Sequence, residues 1–349
     1  MKFFAFTSLI ILTLFLRPAF PRQSPQPPNQ PETGPGGRAE TNKAVIKNRY
    51  GSGAKEFWIY EPDAPKPATA PVVVFLHGWG GMNPFYYGAW IDHLVKRGNI
   101  VIYPRYQGGL LTPREDFIPN SLAAINDALA ELQNKPGHVR PDLTRVASVG
   151  HSLGGVLAAS VAALASESGL PKFKAVMAVE PGITKKPVSV PLADLSKIPG
   201  DTLLLSVAGD RDTLVEDEDA KRIYYESNRI PTENKDFIKL ITDDHGSPAL
   251  IASHRAPTAL DREYDNGEAE RMDQSTLANR RPGVGSDSPQ LPATNALDYG
   301  LWKLFDGLSD AAFFGKNREY ALGNTAQQRF MGKWSDGVPV KELVVTDKP

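Results

Sequence analysis

The sequence of 349 residues contains no cysteine. It therefore has no disulfide framework, no thiolate metal site and no cysteine nucleophile, and it lacks the residue that carries the lipid of a lipoprotein. The chain has no excess of basic residues either. Its 39 Lys and Arg stand against 40 Asp and Glu, and this balance does not predict a surface that binds nucleic acid.

A hydrophobic run of membrane-spanning length is also missing at the amino terminus. The apolar residues 3–16 follow Lys2 and fall short of the roughly 20 residues that a spanning helix needs. This pattern predicts a signal peptide over residues 1–20, with an uncleaved N-terminal anchor as the alternative. Either reading places the remainder outside the cytoplasm, in a secreted or periplasmic protein.

The rest of the chain divides into a short linker and one long domain. Residues 21–42 are rich in Pro, Gln and Gly, a composition that cannot form a core and predicts a disordered or extended linker. Residues 43–349 are long enough to form a single domain with a large core.

Within that domain, apolar runs alternate with helical patterns. Runs predicted as buried strands cover 72–76, 100–103, 146–149, 175–179, 203–207 and 237–241, and helical patterns cover 86–97, 122–132, 153–165 and 217–228. Two earlier runs, 44–46 and 57–60, mix apolar and polar residues and predict antiparallel edge strands. The alternation predicts an α/β fold with a mostly parallel central sheet and helices on both faces. Chemistry in such sheets lies at the carboxyl ends of the strands.

The run 146–149 leads into the sequence GHSLGG at 150–155 and then into a helix of small residues. This is a G-x-S-x-G motif between a strand and a helix, the context in which the motif marks a nucleophile. Ser152 would sit on a strained turn, so Gly150 and Gly154 provide the room that side chains would fill. A glycine-rich turn with an unreactive serine is the alternative.

A second glycine-rich segment, HGWGG at residues 77–81, follows the first buried strand. It resembles the HGxGG loop of lipases and esterases. With both motifs, residues from about 44 to 245 resemble an α/β hydrolase, and within that superfamily the secreted group of dienelactone-hydrolase-like and cutinase-like enzymes. The resemblance implies hydrolysis of a small-molecule or polymeric carboxylic ester through an acyl-enzyme, with no metal or organic cofactor. Cutinase-like enzymes commonly carry disulfides, which this chain lacks.

The resemblance also implies an oxyanion hole. Its donors would be the main-chain N–H groups of Trp79 and Leu153. His77, Gly78 and Gly80 would support the loop. The indole of Trp79 could either line the pocket or pack in the core.

A serine nucleophile needs a general base, and in this fold the chain order is serine, acid, histidine. Of the six histidines, only His245 and His254 follow Ser152. His245 lies in a loop directly after the strand predicted at 237–241, which favours it as the base. His254 falls in what reads as a helix or its end, where a surface or capping histidine is expected.

Three carboxylates compete as the acid that orients this base. Asp210 and Asp212 both follow the strand at 203–207. The Gly-x-x-Asp-x-x-Val loop of the resembled family favours Asp212, and Asp210 would then hold the turn. Glu180 follows the preceding strand and is the third candidate; otherwise it is a polar residue lining the pocket.

The remaining sequence is less familiar. Residues 255–295 form a polar insertion that either covers the pocket or is a surface loop. Residues 296–308 have helical periodicity, 330–337 read as a docked turn, and 338–345 as a strand-like piece. Besides ester hydrolysis, the same residues could serve amide or peptide hydrolysis or acyl transfer, and a non-catalytic binding protein is a further alternative.

Overall fold

We analysed a computed structural model, which describes residues 24–182, 189–267 and 294–349. The predicted signal peptide lies outside the described residues, as do the start of the predicted linker and most of the polar insertion.

A nine-stranded sheet forms the centre of the described part of the chain. Its strands are β1 Ala44–Tyr50, β2 Phe57–Asp63, β3 Thr69–Leu76, β4 Ile100–Pro104, β5 Arg140–His151, β6 Phe173–Val179, β7 Leu203–Gly209, β8 Lys235–Leu240 and β9 Val344–Thr346. Their spatial order is β1-β2-β4-β3-β5-β6-β7-β8-β9. Strands β3 to β8 run parallel, whereas β1, β2 and β9 join antiparallel. The predicted mostly parallel sheet is confirmed.

The central strands are apolar along their whole length because both of their faces are covered. Alternate residues point to opposite faces, so Val73 and Val101 join one apolar cluster while Val72 and Ile100 join the other. Every residue of β4 and β7 is buried. The two faces therefore carry two separate cores, one above and one below the sheet.

Helices cover both faces of the sheet. They are α1 Gly88–Lys96, α2 Phe117–Asn134, α3 Leu153–Leu164, α4 Glu218–Glu226, α5 Ala296–Phe314 and α6 Ala326–Arg329. Helices α1 and α5 contribute to one core, and α2, α3 and α4 to the other. A capping box at Asn295 begins α5, and Gly315 in the left-handed region ends it. None of the helices described here is both long and apolar enough to cross a bilayer.

The segment predicted as a linker lies against the domain from residue 24 onward. Gly36 donates its N–H to Asp306 on α5 at 2.7 Å, and Asp306 also contacts His93 at 2.9 Å and Arg97 at 3.1 Å. Burial would raise the pKa of Asp306, but the two basic neighbours outweigh it and hold that pKa below its ordinary value. The composition did not predict this docking.

Two other poorly predicted regions also pack on the domain. Residues 255–267 contain turns and one short 3₁₀ turn, Arg262–Tyr264, and Ala89 of α1 donates its N–H to Ala259 at 3.0 Å. Tyr264 is buried among the residues of the α1 face. In the tail, a bridge joins Lys333 and Pro339. Of the strand expected at residues 338–345, only the last part joins the central sheet, as β9.

Candidate active site

Ser152 stands at the turn between β5 and α3, as the G-x-S-x-G pattern predicts. Its φ of 57° lies in the left-handed region, which is strained for a residue with a side chain. A Cβ at Gly150 would lie 2.0 Å from the carbonyl oxygen of Gly154, and one at Gly154 would lie 2.0 Å from that of Leu76. Both positions must therefore be glycine for the turn to close and present Ser152.

A chain of hydrogen bonds links Ser152 to His254 and Asp212. The Nε2 atom of His254 is 2.9 Å from Ser152 Oγ, and its Nδ1 atom is 2.7 Å from Asp212 Oδ2. An ionised carboxylate only accepts hydrogen bonds, so Nδ1 carries the proton and donates to Asp212. This tautomer leaves Nε2 free to accept the Ser152 hydroxyl proton, which is the geometry a general base requires.

His245 does not reach Ser152, and the prediction that it is the base is wrong. Its Nε2 lies 2.8 Å from Asp336 Oδ2, and its ring packs near Trp334, with centroids 5.7 Å apart. His245 and Asp336 form a partly exposed pair at the tail of the chain.

The path of the chain after β8 explains why His254, and not His245, lies beside Ser152. Asp243 and Leu250 form an antiparallel bridge, with both N–H···O distances at 2.8 Å, and this bridge closes a loop that carries His245 outward. Arg211 then donates its N–H to Ala252 at 3.0 Å, which returns the chain to the loop that holds Asp212. Residues around His254 form turns rather than a helix. In the sequence, Pro257 is the local signal against a helix that would continue past His254.

The two aspartates after β7 have different partners. Asp212 is buried, and its Oδ1 accepts the N–H groups of Leu214 at 3.0 Å and Val215 at 3.1 Å. These bonds fix the carboxylate while Oδ2 faces His254. Asp210 instead accepts from the N–H and hydroxyl of Thr242, at 3.0 Å and 2.6 Å, so it holds the turn.

Glu180, the third acid candidate, lies beside His254 without bonding to it. Its carboxyl is fully buried, and Oε2 is 3.8 Å from His254 Nδ1 and 3.7 Å from His151 Nε2. Burial, and then the negative charge of Asp212, raise the pKa of Glu180 well above its ordinary value. Asp212 is therefore the carboxylate that orients His254 in this arrangement.

The HGWGG loop lies directly over the serine. A Cβ at Gly78 would be 3.2 Å from the Cβ of Ser152. Tyr87 ties the two segments together, since its hydroxyl accepts the Gly78 N–H at 3.0 Å and lies 2.9 Å from His151 Nδ1. Gly80 donates its N–H to Gln107 at 3.0 Å, which fixes the far side of the loop.

The two N–H groups predicted as oxyanion donors have no acceptor within the described residues. Leu153 is the first residue of α3, where an N–H has no partner inside the helix. The N–H of Trp79 is likewise absent from the hydrogen bonds of the loop. Leu153 also stands at the N-terminal end of α3, where the positive end of the helix dipole lies.

Side chains around the loop brace it. His77 is buried and stacks on Tyr106 and Tyr103, with ring centroids 4.1 Å and 5.4 Å apart. Burial lowers the pKa of His77 to about 4, so it is a neutral hydrogen-bonding brace at neutral pH. Trp79 is half-buried, with its ring edge-on to Phe117 at 5.5 Å and with Arg114 over its face at 5.3 Å.

The only set of three potential metal ligands found among the described residues is His151, Glu180 and His254, whose ligand atoms lie within 4.8 Å of one another. Both ring nitrogens of His254 are already engaged, one by Asp212 and one by Ser152. Burial, and then His254, lower the pKa of His151 well below its ordinary value, so His151 stays neutral.

Comparison with known proteins agrees with this fold. A family model described as Chlorophyllase matches residues 35–192, which include both glycine-rich motifs but end before Asp212 and His254. Over 125 residues the chain is 34% identical to Esterase LipI of Mycobacterium tuberculosis (strain ATCC 25618 / H37Rv), covering 34% of this chain and 36% of that protein. Over 119 residues it is 30% identical to Putative alpha/beta hydrolase R526 of Acanthamoeba polyphaga mimivirus, covering 33% of each chain.

The chain belongs to the α/β-hydrolase superfamily. The matched region spans about a third of the length of each of these relatives. The family match covers the serine turn and the HGWGG loop, whereas Asp212 and His254 lie beyond the residues that it reaches. The narrower resemblance to a secreted subgroup stays a prediction.

Proposed function

We propose that this α/β hydrolase cleaves carboxylic esters through an acyl-enzyme, with Ser152 as nucleophile, His254 as general base and acid, and Asp212 as the orienting carboxylate. The observation that carries the proposal is the continuous hydrogen-bond chain from Asp212 through His254 to Ser152, at 2.7 Å and 2.9 Å. The name of the esterase relative supports an ester as the substrate.

In the first half of the reaction, Ser152 Oγ bonds to the ester carbonyl carbon while its proton passes to His254 Nε2. The carbonyl oxygen takes the negative charge and accepts hydrogen bonds from the N–H groups of Trp79 and Leu153. Each donor of this kind is worth about 10²–10³ in rate. Asp212 stabilises the imidazolium that forms.

In the second half, the imidazolium gives its proton to the leaving alcohol as the carbon–oxygen bond breaks, which leaves the acyl group on Ser152. Water then attacks the acyl carbon, with His254 taking a proton from the water and returning one to Ser152. The carboxylic acid leaves, and the resting hydrogen-bond chain re-forms.

Exposed apolar side chains on the site's loops support an ester with apolar groups. Leu110 lies against the HGWGG loop, with its Cδ2 3.1 Å from a Cβ placed on Gly80. Leu111 next to it is 96% exposed. Leu214, beside Asp212, and Ile251, three residues before His254, are also exposed. Single exposed apolar residues are common, but these four lie in segments that adjoin site residues in the chain, which supports contact with an apolar substrate.

A panel of p-nitrophenyl esters of increasing acyl length, run beside matched p-nitroanilides, tests the proposal. We expect ester turnover with kcat/KM rising as the acyl chain lengthens, because each CH₂ that becomes buried contributes about 0.8 kcal/mol.

Ser152→Ala run on the same panel is the control for background hydrolysis. Turnover of the anilides alone would contradict the ester proposal and favour amide hydrolysis by the same residues. Product appearing only when an alcohol acceptor is added would favour acyl transfer.

A further inference from the structure

Glu180 is a buried acid that the proposed mechanism does not use. It follows β6, has a φ of 44°, and donates its N–H to Val207 at 2.7 Å. A Cβ at Gly209 would lie 2.7 Å from Glu180 Oε1, so the glycine that ends β7 makes room for the carboxyl. The backbone thus holds Glu180 in a strained conformation that directs a carboxyl into the site.

Neither oxygen of Glu180 has a hydrogen-bond partner in the described part of the chain. Leaving a buried polar group unpartnered costs about 1–3 kcal/mol, so the position calls for an explanation. Three titratable groups surround it: His151 from β5, Asp212 after β7, and His254 after β8. His254 Nδ1 therefore has two carboxyls beside it, Asp212 at 2.7 Å and Glu180 at 3.8 Å.

The two carboxyls cannot both ionise easily in this buried place. Asp212 accepts two main-chain N–H bonds and the His254 N–H. Glu180 accepts none, and burial and then the charge of Asp212 raise its pKa, so Glu180 keeps its proton.

We propose that Glu180 is a reserve positioning acid for His254, able to take the place of Asp212. The inference rests on the proposed function. If Asp212 is removed, Glu180 loses the like charge beside it. A bond from His254 Nδ1–H then offsets the burial that is the larger cause of the raised pKa of Glu180, so its proton leaves to solvent. A small movement of its carboxylate then allows it to accept the His254 Nδ1–H and preserve the working tautomer.

Four proteins test the inference: the native chain, Glu180→Gln, Asp212→Ala and the double variant. Glu180→Gln should keep nearly native kcat, because an amide imitates the neutral carboxyl. Asp212→Ala should lose about 10²-fold, near the lower limit for acid–base effects. The double variant should lose about 10⁴-fold, the loss typical when the orienting acid is absent. The loss in the double variant thus exceeds the product of the two single losses.

The pH dependence separates this role from a structural one. With Glu180 present, the acid limb of the Asp212→Ala profile should lie at higher pH than that of the double variant, because a carboxylate stabilises the protonated form of a neighbouring imidazole and must itself be ionised. A purely structural glutamate leaves the two limbs at the same pH.

A proton NMR spectrum of Asp212→Ala gives a measurement that does not require the double variant to fold. We expect a downfield resonance from a charge-assisted bond at His254 Nδ1–H, and its absence would overturn the inference. Equal activity of Asp212→Ala and the double variant would also overturn it. An inactive native chain would instead contradict the proposed function.

Discussion

Ser152→Ala is expected to lower kcat for ester hydrolysis by about 10⁶-fold, the loss typical when a serine nucleophile of this kind is removed. The change deletes Oγ, the atom that lies 2.9 Å from His254 Nε2. Among the described residues, Ser152 is the hydroxyl that is hydrogen-bonded to that nitrogen. Residual acceleration from the oxyanion donors and from substrate binding should remain. Steady-state kinetics with a p-nitrophenyl ester measures the loss.

Ser148→Ala is a matched control on the same strand. Ser148 is fully buried and donates its hydroxyl to Ala158 at 3.1 Å, so the variant loses a hydrogen bond of about 1 kcal/mol but should keep native kcat. Thermal unfolding of both variants shows whether the fold is retained. A folded Ser152→Ala protein with normal turnover would contradict the mechanism.

His254→Ala should be about as damaging as loss of the serine, whereas His245→Ala should leave kcat close to native. His254 bonds to both Ser152 and Asp212, and removing it leaves the hydroxyl without a base. His245 pairs with Asp336 where both side chains are partly exposed, and such pairs contribute about 0–1 kcal/mol to stability.

Kinetics of the two alanine variants with the same ester, after both have been shown to be folded, distinguish the histidines. Greater damage from His245→Ala would restore the assignment that chain position alone favours. It would also require the loop after β8 to adopt another path in solution.

The sheet and the serine turn could be predicted from the sequence because their signals are local. Apolar runs mark strands that are covered on both faces, and Gly150, Ser152 and Gly154 are neighbours whose roles depend on sterics within a few residues. Asp212 could also be predicted, because it lies in a single loop after β7 and the loop pattern of the resembled family selects it over Asp210.

The histidine that contacts Ser152 could not be predicted, because its position depends on contacts between distant segments. Which histidine reaches Ser152 is decided by the bridge between Asp243 and Leu250 and by the bond from Arg211 to Ala252. Neither contact leaves a periodic pattern in the sequence. The docking of the proline-rich segment through Gly36 and Asp306 is hidden for the same reason, since the partners are far apart in the chain.

Labelling the native protein with a fluorophosphonate and mapping the modified peptide by mass spectrometry tests the central claim most directly. The reagent phosphonylates an activated serine, so the label should lie on Ser152 alone and be lost in Ser152→Ala. A label on any other residue, or undiminished labelling of Ser152→Ala, would contradict the assignment of Ser152 as the nucleophile.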